Sequence, residues 1–428
     1  MRETTAAPGD NDRASMPYGV LLVMATAVLV AITTESLPVG LLPEIGHDLH
    51  ASDSRTGLLV SAYALVVAVG SVPMAALVAR WPRRRVLGVL LLVFALSNVV
   101  MAGAPDYWVA LVARLVGGVA HAGFFSAIFA AAIVVAPRER AGRAMAFVSI
   151  GIALGLCFGV PLGTAIGTAV GWRWAFLGCA IAMVLLAVLI TAALPNHPAP
   201  ASGTGTPVLK AIRRRPLLLI AATTVILILG HNTTYTYISP ILLHDGVRLG
   251  RVSLVLAGYG LAGVIGLVLA GVIADHSPRR GLYAAIGLMA VCLLLLGLAR
   301  QPATSVPVIV AWGVGYGSLP TLIQAVALRT VPDAPDTATS IINSAFNAGI
   351  SGGAFLGARE LLVAQPPVLA WTGCALVVLS LLPLAHPALG DRRTQQAAGP
   401  AASPTASPAA DSPAAEAKDA VPAPPRSG

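Results

Sequence analysis

Charged residues are scarce in this sequence: 11% of its 428 residues are Asp, Glu, Lys or Arg, while 57% are hydrophobic. A soluble domain carries about 25% charged residues and uses them to cover its surface. The shortage therefore excludes a soluble enzyme, a disordered chain and a disulfide-stapled secreted scaffold. The composition indicates instead a protein that crosses a membrane several times.

Signatures of catalysis and of metal or nucleotide binding are also missing. The four cysteines lie singly in apolar segments, without the CxxC or Cys/His spacing of a zinc site. No Walker sequence is present, and no His, Asp, Glu or Cys cluster marks one membrane face as the site of a polytopic enzyme. We expect no catalytic activity and no cofactor or metal. The net charge of +9 does not indicate nucleic-acid binding, because the basic clusters have no interleaved aromatics.

Twelve apolar segments are long enough to cross a bilayer, which takes about 20 residues. They are residues 18–41, 56–79, 86–104, 107–135, 143–169, 172–194, 216–241, 252–274, 281–299, 304–328, 337–360 and 367–387. Of the 27 basic residues, 20 fall on the side of the two termini, 6 on the other side, and Arg114 alone lies inside a segment. Because Lys and Arg accumulate in cytoplasmic loops, we expect a cell (inner) membrane protein with both termini in the cytoplasm.

The segments divide into two halves of six. Residues 18–195 and 216–388 would each form a six-helix bundle, joined by a cytoplasmic linker at 196–215. Residues 1–17 and 389–428 are expected to be cytoplasmic tails. The second tail is expected to be disordered, because nearly half of it is Ala or Pro and it has little to bury.

An internal repeat supports this division. Shifted by 196 residues, SAYALVVAVGSVPMAALVARWPRRR (61–85) aligns with AGYGLAGVIGLVLAGVIADHSPRRG (257–281), and Tyr63 coincides with Tyr259. Both segments contain the same Pro-Arg-Arg turn. Two homologous halves place a substrate site near the midplane between them.

In these and other segments the chain resembles the major facilitator superfamily, within it the twelve-span drug:proton antiporter branch of sugar-efflux and chloramphenicol-resistance exporters. The segments are TESLPVGLLPEI (34–45), RLVGGVAHAGFFS (114–126), GVPLGTAIGTAVGWRWAF (159–176), TYTYISPIL (234–242) and GVIADHSPRRG (271–281). The resemblance implies an all-α polytopic fold of two pseudo-symmetric six-helix bundles. It also implies proton-coupled efflux of a small molecule, such as a drug, antibiotic or sugar, by alternating access. A proton-coupled importer of the same fold and a non-transporting receptor are the alternatives. We expect a monomer whose partners are the substrate, protons and the lipid bilayer.

Glu35 is the acidic residue placed well within a predicted span, where an ionisable group costs at least about 2.5–3.5 kcal/mol. From a rise of about 1.5 Å per residue, Glu35 and Arg114 lie at similar depth. We expect them to pair, so that protonation of Glu35 releases Arg114. Alternatively, Arg114 caps backbone carbonyls and fixes the first and fourth spans. His121, two turns beyond Arg114, could relay a proton or bond substrate, or simply bond a neighbouring helix.

The substrate-site candidates lie in the seventh and eleventh spans. His231 aligns with Glu35 at the 196-residue shift, which would give each half a polar residue at matching depth. Tyr235 and Tyr237 could instead belong to an interfacial aromatic belt, and Asn232 could pack locally. Asn343 and Asn347 could instead join neighbouring helices. The candidates are His231, Asn232, Tyr235, Tyr237, Asn343 and Asn347.

The fifth span has glycine at every fourth position from 151 to 171, which paves one face for a neighbouring helix, and Pro161 predicts a bend. The resemblance implies that this antiporter signature also closes the contact between the halves. Its candidate residues are Gly155, Gly159, Pro161 and Gly163.

Charged turns on the cytoplasmic side could lock the outward-open state by pairing with neighbouring helix ends, or could only set topology. The candidates are Arg83, Arg84, Asp275, Arg279 and Arg280. Ala79 stands where the second half has Asp275, so the first turn lacks the acidic residue of the family's loop motif.

Overall fold

The computed structural model describes residues 16–137, 140–194, 214–331 and 335–389. The expected tails, 1–17 and 389–428, and the linker 196–215 lie almost entirely outside the described residues. Within the described ranges the regular secondary structure is helical throughout.

The helices follow the predicted spans closely. They are α1 (Tyr18–Gly40), α2 (Leu42–Asp48), α3 (Asp53–Val78), α4 (Arg83–Ala102), α5 (Tyr107–Val135), α6 (Ala141–Leu154), α7 (Val160–Val170), α8 (Trp172–Ala193), α9 (Arg215–Tyr235), α10 (Ile238–His244), α11 (Val252–His276), α12 (Pro278–Leu298), α13 (Pro302–Thr330), α14 (Pro335–Glu360), α15 (Pro367–Leu379) and α16 (Leu381–Ala385). The fifth crossing comprises α6, a π-helical turn and α7, and the twelfth comprises α15 and α16. The short α2 and α10 follow the first crossing of each half.

Eleven helical segments in the described ranges are long and apolar enough to cross a membrane. The remaining predicted span is α14, whose 26 residues are also sufficient in length. It is less apolar than the others because it carries Asn343, Ser344, Asn347 and Ser351. We call the end of the bundle that carries Arg83 the basic face, and the end that carries α2 and α10 the far face.

The halves have separate hydrophobic cores that join near the far face. One core is built from residues 16–194 alone. The other belongs to the C-terminal half but also takes in Val39, Leu42, Val60 and Val160 from the N-terminal half. These four residues lie in the far-face half of their membrane crossings or on α2, so the two halves pack together on that side.

The glycine face of the fifth crossing packs on α1, inside its own half. A Cβ at Gly155 would lie 2.9 Å from the carbonyl oxygen of Leu29, so only glycine allows this approach. Gly159 and Gly163 continue the same contact, against Thr33 and Leu37. The predicted packing face is therefore present, but it does not itself close the halves.

A different face of the same crossing makes the contact between the halves. A Cβ at Gly260 of α11 would lie 2.9 Å from the carbonyl oxygen of Leu156. The bend predicted at Pro161 takes the form of a π-helical turn at Gly155–Gly159, in which the Val160 N–H donates to the Gly155 carbonyl. Such a turn fits a proline that has no N–H to continue the α-helical pattern.

A polar clamp joins α2 to α8 at the far face. The Asp48 carboxylate accepts hydrogen bonds from Trp172 Nε1, at 3.0 Å, and from the Arg173 guanidinium. Arg173 also donates to the carbonyl of Ala104, at 3.2 Å. Burial works to raise the pKa of Asp48, but the hydrogen bonds from Trp172 and Arg173 outweigh it and hold the pKa below its ordinary value.

Replacing Asp48 by Asn should lower the melting temperature at pH 7, on the order of 2 °C for a half-exposed clamp. A carboxylate with a lowered folded-state pKa stabilises the fold above its unfolded-state pKa, about 3.9, and loses that contribution as pH falls through the folded-state value. The difference between wild type and Asp48→Asn should therefore begin to shrink at about pH 4 and disappear below the folded-state pKa of Asp48. Thermal unfolding in detergent measures it, with Asp275→Asn, exposed on the basic face, as control. A gap that does not narrow between pH 6 and pH 2 contradicts the assignment.

Candidate functional site

Four polar side chains meet inside the N-terminal half. They are Glu35 of α1, Tyr63 of α3, and Arg114 and His121 of α5, here called the charged cluster. The side chains of Glu35 and His121 are 13% and 7% exposed, and Arg114 is 2% exposed. The cluster is thus almost wholly removed from the surface.

Arg114 is held by backbone carbonyls. Its guanidinium donates to the carbonyls of Thr34, at 2.9 Å, and Glu35, at 2.8 Å, and to that of Leu59, at 3.4 Å. The Thr34 carbonyl is available because residue 38 is a proline inside α1 and has no N–H to donate four residues back. Arg114 supplies the missing donor and ties α1, α3 and α5 together.

The side-chain pair predicted for Glu35 and Arg114 is not formed in this conformation. Among the ion pairs of the described residues, the Glu35 carboxylate is joined to His121, with Oε2 3.8 Å from Nδ1. The structure has the alternative arrangement, in which Arg114 caps carbonyls. The prediction was wrong in this respect because depth along a helix does not say which way a side chain points.

Tyr63 connects the other members of the cluster. Its hydroxyl lies 3.0 Å from His121 Nδ1, and its ring centre lies 4.1 Å from the Arg114 guanidinium carbon. The His121 ring also stacks on Phe125, with ring centres 4.6 Å apart. Tyr63 was not among the predicted site residues, although its coincidence with Tyr259 in the internal repeat was a usable signal.

The structure shifts the repeat register in the first helix of each half. Gly155 packs against the carbonyl of Leu29, and Gly353 packs in the same way against that of Leu229. The register that carries Leu29 onto Leu229 also carries Thr33-Thr34 onto Thr233-Thr234. Tyr235, not His231, therefore takes the position of Glu35. The single shift used for the sequence repeat failed here because the connections between helices differ in length between the halves.

A similar correction applies to His121. Gly118 packs against the carbonyl of Tyr63, and Gly313 packs against that of Tyr259. The register that carries Gly118 of α5 onto Gly313 of α13 makes Tyr316, not Gly317, the counterpart of His121. The positions of Glu35 and His121 in the first half thus hold tyrosines in the second, while the position of Arg114 holds Ile309.

These tyrosines belong to an aromatic cluster in the C-terminal half, made of His231, Tyr235, Tyr259, Trp312 and Tyr316. The His231 ring stacks on Tyr316 at 3.9 Å and 8°, and on Tyr235 at 5.1 Å and 19°. Trp312 meets His231 edge-on at 4.9 Å. Sequence reasoning identified His231 and Tyr235 but missed the other three, which lie on α11 and α13.

Several polar atoms of the aromatic cluster are buried without a partner. Both ring nitrogens of His231, the Tyr259 hydroxyl and Trp312 Nε1 have no hydrogen bond among the described residues. Buried polar groups normally find partners, so such a concentration is unusual. The cluster offers flat apolar faces together with unsatisfied donors, a combination suited to binding a small polar ring.

The remaining substrate-site candidates make structural contacts. Asn232 bonds the carbonyl of Ile228 in its own helix, at 3.1 Å. The buried Tyr237 donates to the carbonyl of Ala354, at 2.7 Å, and Asn347 donates to that of Asn343, at 3.0 Å. None of these residues joins the aromatic cluster.

The gating candidates on the basic face bond within their own halves. Arg279 donates to the carbonyls of Leu384 and Leu389, at 2.8 and 3.0 Å, and Arg83 donates to that of Val78. The backbone of Asp275 accepts from Arg329, and Arg280 is exposed. None of these hydrogen bonds joins the N-terminal half to the C-terminal half at the basic face in this conformation, and the exposed Arg280 adds no such contact among the described residues.

Four serines join the halves nearer the far face. Ser54 donates to the carbonyl of Ala358 and Ser239 to that of Val39, at 2.6 and 2.8 Å. Ser61 and Ser351 each donate to the other's carbonyl, at 2.8 and 3.0 Å. We call these the far-face serines.

On the basic side of Ser351 the surface between α3 and α14 is grooved. A cavity of about 500 Å³ lies there between α3 and α14, and its lining includes Leu65, Val69 and Ser344. The protein is therefore held shut at the far face.

The sequence model of the Major Facilitator Superfamily matches residues 24–354. The chain belongs to the major facilitator superfamily. This confirms the resemblance drawn from the sequence and the all-α transporter fold that it implied.

The transporter is 32% identical over 368 residues to a probable sugar efflux transporter of Mannheimia succiniciproducens, covering 85% of this chain and 92% of the relative. It is 33% identical over 364 residues to a protein of the same name from Helicobacter pylori, covering 84% and 93%.

A solved structure shares the fold. The crystal structure of a bacterial homologue of the human lysosomal transporter Spinster, in an inward-facing and unoccupied conformation, matches this transporter with a TM-score of 0.69. The match covers 90% of this chain and 99% of the other, at 15% sequence identity. At that identity the likeness establishes the fold alone.

The carbonyl contact of Arg114 can be tested by a double-mutant cycle with Pro38. Arg114→Ala leaves the buried Thr34 carbonyl without a donor, at a cost of about 1–3 kcal/mol. In a Pro38→Ala background, the new N–H of residue 38 can satisfy that carbonyl, so removal of Arg114 should cost less. Thermal unfolding of the four proteins in detergent gives the coupling. Strictly additive effects would contradict the conclusion that Arg114 provides the donor that Pro38 lacks.

Proposed function

We propose that this transporter exports a small, sugar-like molecule in exchange for protons, as an inner-membrane protein with its basic face and both termini in the cytoplasm. The names of its relatives support the substrate class. The excess of basic residues on one side supports the orientation. The observation that carries proton exchange is the Glu35 carboxyl group, buried beside an imidazole and 3.8 Å from it.

In this proposal Glu35 binds and releases the transported proton. Its neighbours are a guanidinium fixed on carbonyls and an imidazole that can share a proton, so both charge states of the carboxyl group have a polar environment. Arg114 supplies a constant positive charge that favours the ionised form. His121 supplies the nearest site to or from which a proton can move.

The aromatic cluster is the proposed substrate platform. Tyr316 is its partly exposed member, while His231 and Trp312 are fully buried behind it. The apolar face of a sugar ring would stack on the exposed side of Tyr316, whose other side carries the His231 ring. The proton would then bind in the N-terminal half of the protein and the substrate on the aromatic cluster of the C-terminal half, on opposite sides of the central axis.

The conformation fits one stage of alternating access. The far-face serines bond the halves together at the far face, while a groove lies between α3 and α14 toward the basic face. In the proposed orientation this is the state that receives substrate from the cytoplasm. An importer would use the same state to release its substrate, so direction has to be measured.

Glu35→Gln should abolish proton-driven transport and leave substrate counterflow intact, because the amide cannot exchange a proton. Substrate-induced proton flux across a panel of sugars and drugs, in proteoliposomes with imposed gradients of either sign, measures coupling, substrate and direction together. Glu44→Gln, on α2 outside the charged cluster, is the matched control. Proton-driven transport at the wild-type rate in Glu35→Gln would contradict the proposal.

Tyr316→Ala should raise the KM for the transported substrate about 2- to 10-fold, as expected for loss of one aromatic stacking contact. The coupling ratio of protons to substrate should stay unchanged, since Glu35 is untouched. Tyr283→Ala on α12, outside the aromatic cluster, serves as comparison in the same uptake assay. An unaltered KM in Tyr316→Ala would remove the aromatic cluster from the substrate site.

A further inference from the structure

Helix α3 lies between the charged cluster and the far-face serines and contacts both. We propose that α3 transmits the proton occupancy of Glu35 to the far-face serines, with Tyr63 as the positioning residue that ties α3 to the cluster. The inference rests on the proposed proton coupling.

One face of α3 is attached to the charged cluster. The Leu59 carbonyl accepts from Arg114 Nε at 3.4 Å, and the Tyr63 hydroxyl lies 3.0 Å from His121 Nδ1. The two residues are about one helical turn apart, so they lie on the same side of α3.

The opposite face of α3 is attached to the C-terminal half. Ser54 bonds Ala358, and Ser61 exchanges hydrogen bonds with Ser351. At 3.6 residues per turn, Ser61 is rotated about 200° from Leu59. A helix is stiff, so a shift imposed at Tyr63 moves Ser61, two residues away, against α14.

The charge of Glu35 decides how firmly Tyr63 is held. A proton on His121 Nδ1 has two acceptors within reach, the Tyr63 oxygen at 3.0 Å and Glu35 Oε2 at 3.8 Å. An ionised carboxylate is the stronger acceptor and draws the imidazole away from Tyr63. A protonated Glu35 does not compete for this proton, so the Tyr63–His121 bond persists. Helix α3 then stays bonded to α14 through the far-face serines Ser54, Ser61 and Ser351.

The surroundings of Glu35 leave few other groups to set this balance. The charged or titratable groups that face it are Arg114 and His121 from α5, Tyr63 from α3 and, at longer range, Tyr316 from α13. The fifth crossing presents its glycine face to α1, and α8 contributes the thiol of Cys179 beside Thr34. Acidification is therefore expected to favour the closed far face, and alkaline pH its opening.

The test measures far-face opening directly. Spin labels at His47→Cys and Arg248→Cys, both exposed and on opposite halves, are placed in the full chain with its four native cysteines replaced. Distances are measured in liposomes between pH 5 and pH 8. Wild type should gain a longer-distance population as pH rises. Tyr63→Phe, which keeps the ring under Arg114 but loses the hydroxyl, should reduce that pH-dependent change at least threefold.

Tyr283→Phe is the control, because Tyr283 lies on α12, outside the charged cluster, the aromatic cluster and the far-face serines, and its hydroxyl bonds the carbonyl of Leu384; it should keep the wild-type pH response. The double variant Ser61→Ala/Ser351→Ala should increase the open population at every pH without moving the midpoint. If Tyr63→Phe fails to fold, His121→Phe keeps a ring against Phe125 but removes the same bond from the other side, and should give the same loss.

A wild-type pH response in Tyr63→Phe, or in His121→Phe, overturns the inference. Proton flux measured on the same wild-type preparation separates it from the proposed function. Flux without a pH-dependent distance change leaves the proton exchange standing and removes the role of α3. A distance change that Tyr63→Phe abolishes, in a protein without proton flux, supports the α3 link and removes the antiport.

Discussion

The arrangement of the N-terminal half depends on one backbone carbonyl. Inside a bilayer there is no water to satisfy a free carbonyl, so every break in a helix must find its donor within the protein. Pro38 leaves the carbonyl of Thr34 without its N–H, and Arg114 reaches from α5 to supply it at 2.9 Å. The guanidinium has further donors, which bind the Glu35 and Leu59 carbonyls and so fix three helices around one charge.

A buried charge then determines what else can lie nearby. Tyr63 offers its ring face to Arg114 and its hydroxyl to His121, and the Glu35 carboxylate lies 3.8 Å from His121 Nδ1. In the other half, Tyr235 takes the position of Glu35 and Tyr316 that of His121. The five residues of the aromatic cluster include no arginine. One repeated backbone thus carries two kinds of chemistry, ionisable groups on one side of the central axis and stacked rings on the other.

The sequence predicted the spans well because hydropathy and length are local properties, and it singled out Glu35, Arg114 and His121 because polar residues are rare inside spans. It did not predict which atoms meet, since Arg114 could bond a carboxylate or carbonyls at the same depth. The assignment of His231 as the counterpart of Glu35 failed because no single shift relates all the helices of the repeat. The far-face serines gave no signal, because serine is common in membrane helices.

The carbonyl anchoring of Arg114 has a consequence for a transport cycle. If Arg114 depended on the Glu35 carboxylate, protonation of Glu35 would leave a buried cation without a partner, and breaking such a pair costs about 3–5 kcal/mol. The carbonyls of Thr34, Glu35 and Leu59 keep Arg114 satisfied in either case. Glu35 can therefore gain and lose a proton without disturbing the joint between α1, α3 and α5, and the energy of protonation is available to change the weaker Tyr63–His121 contact instead.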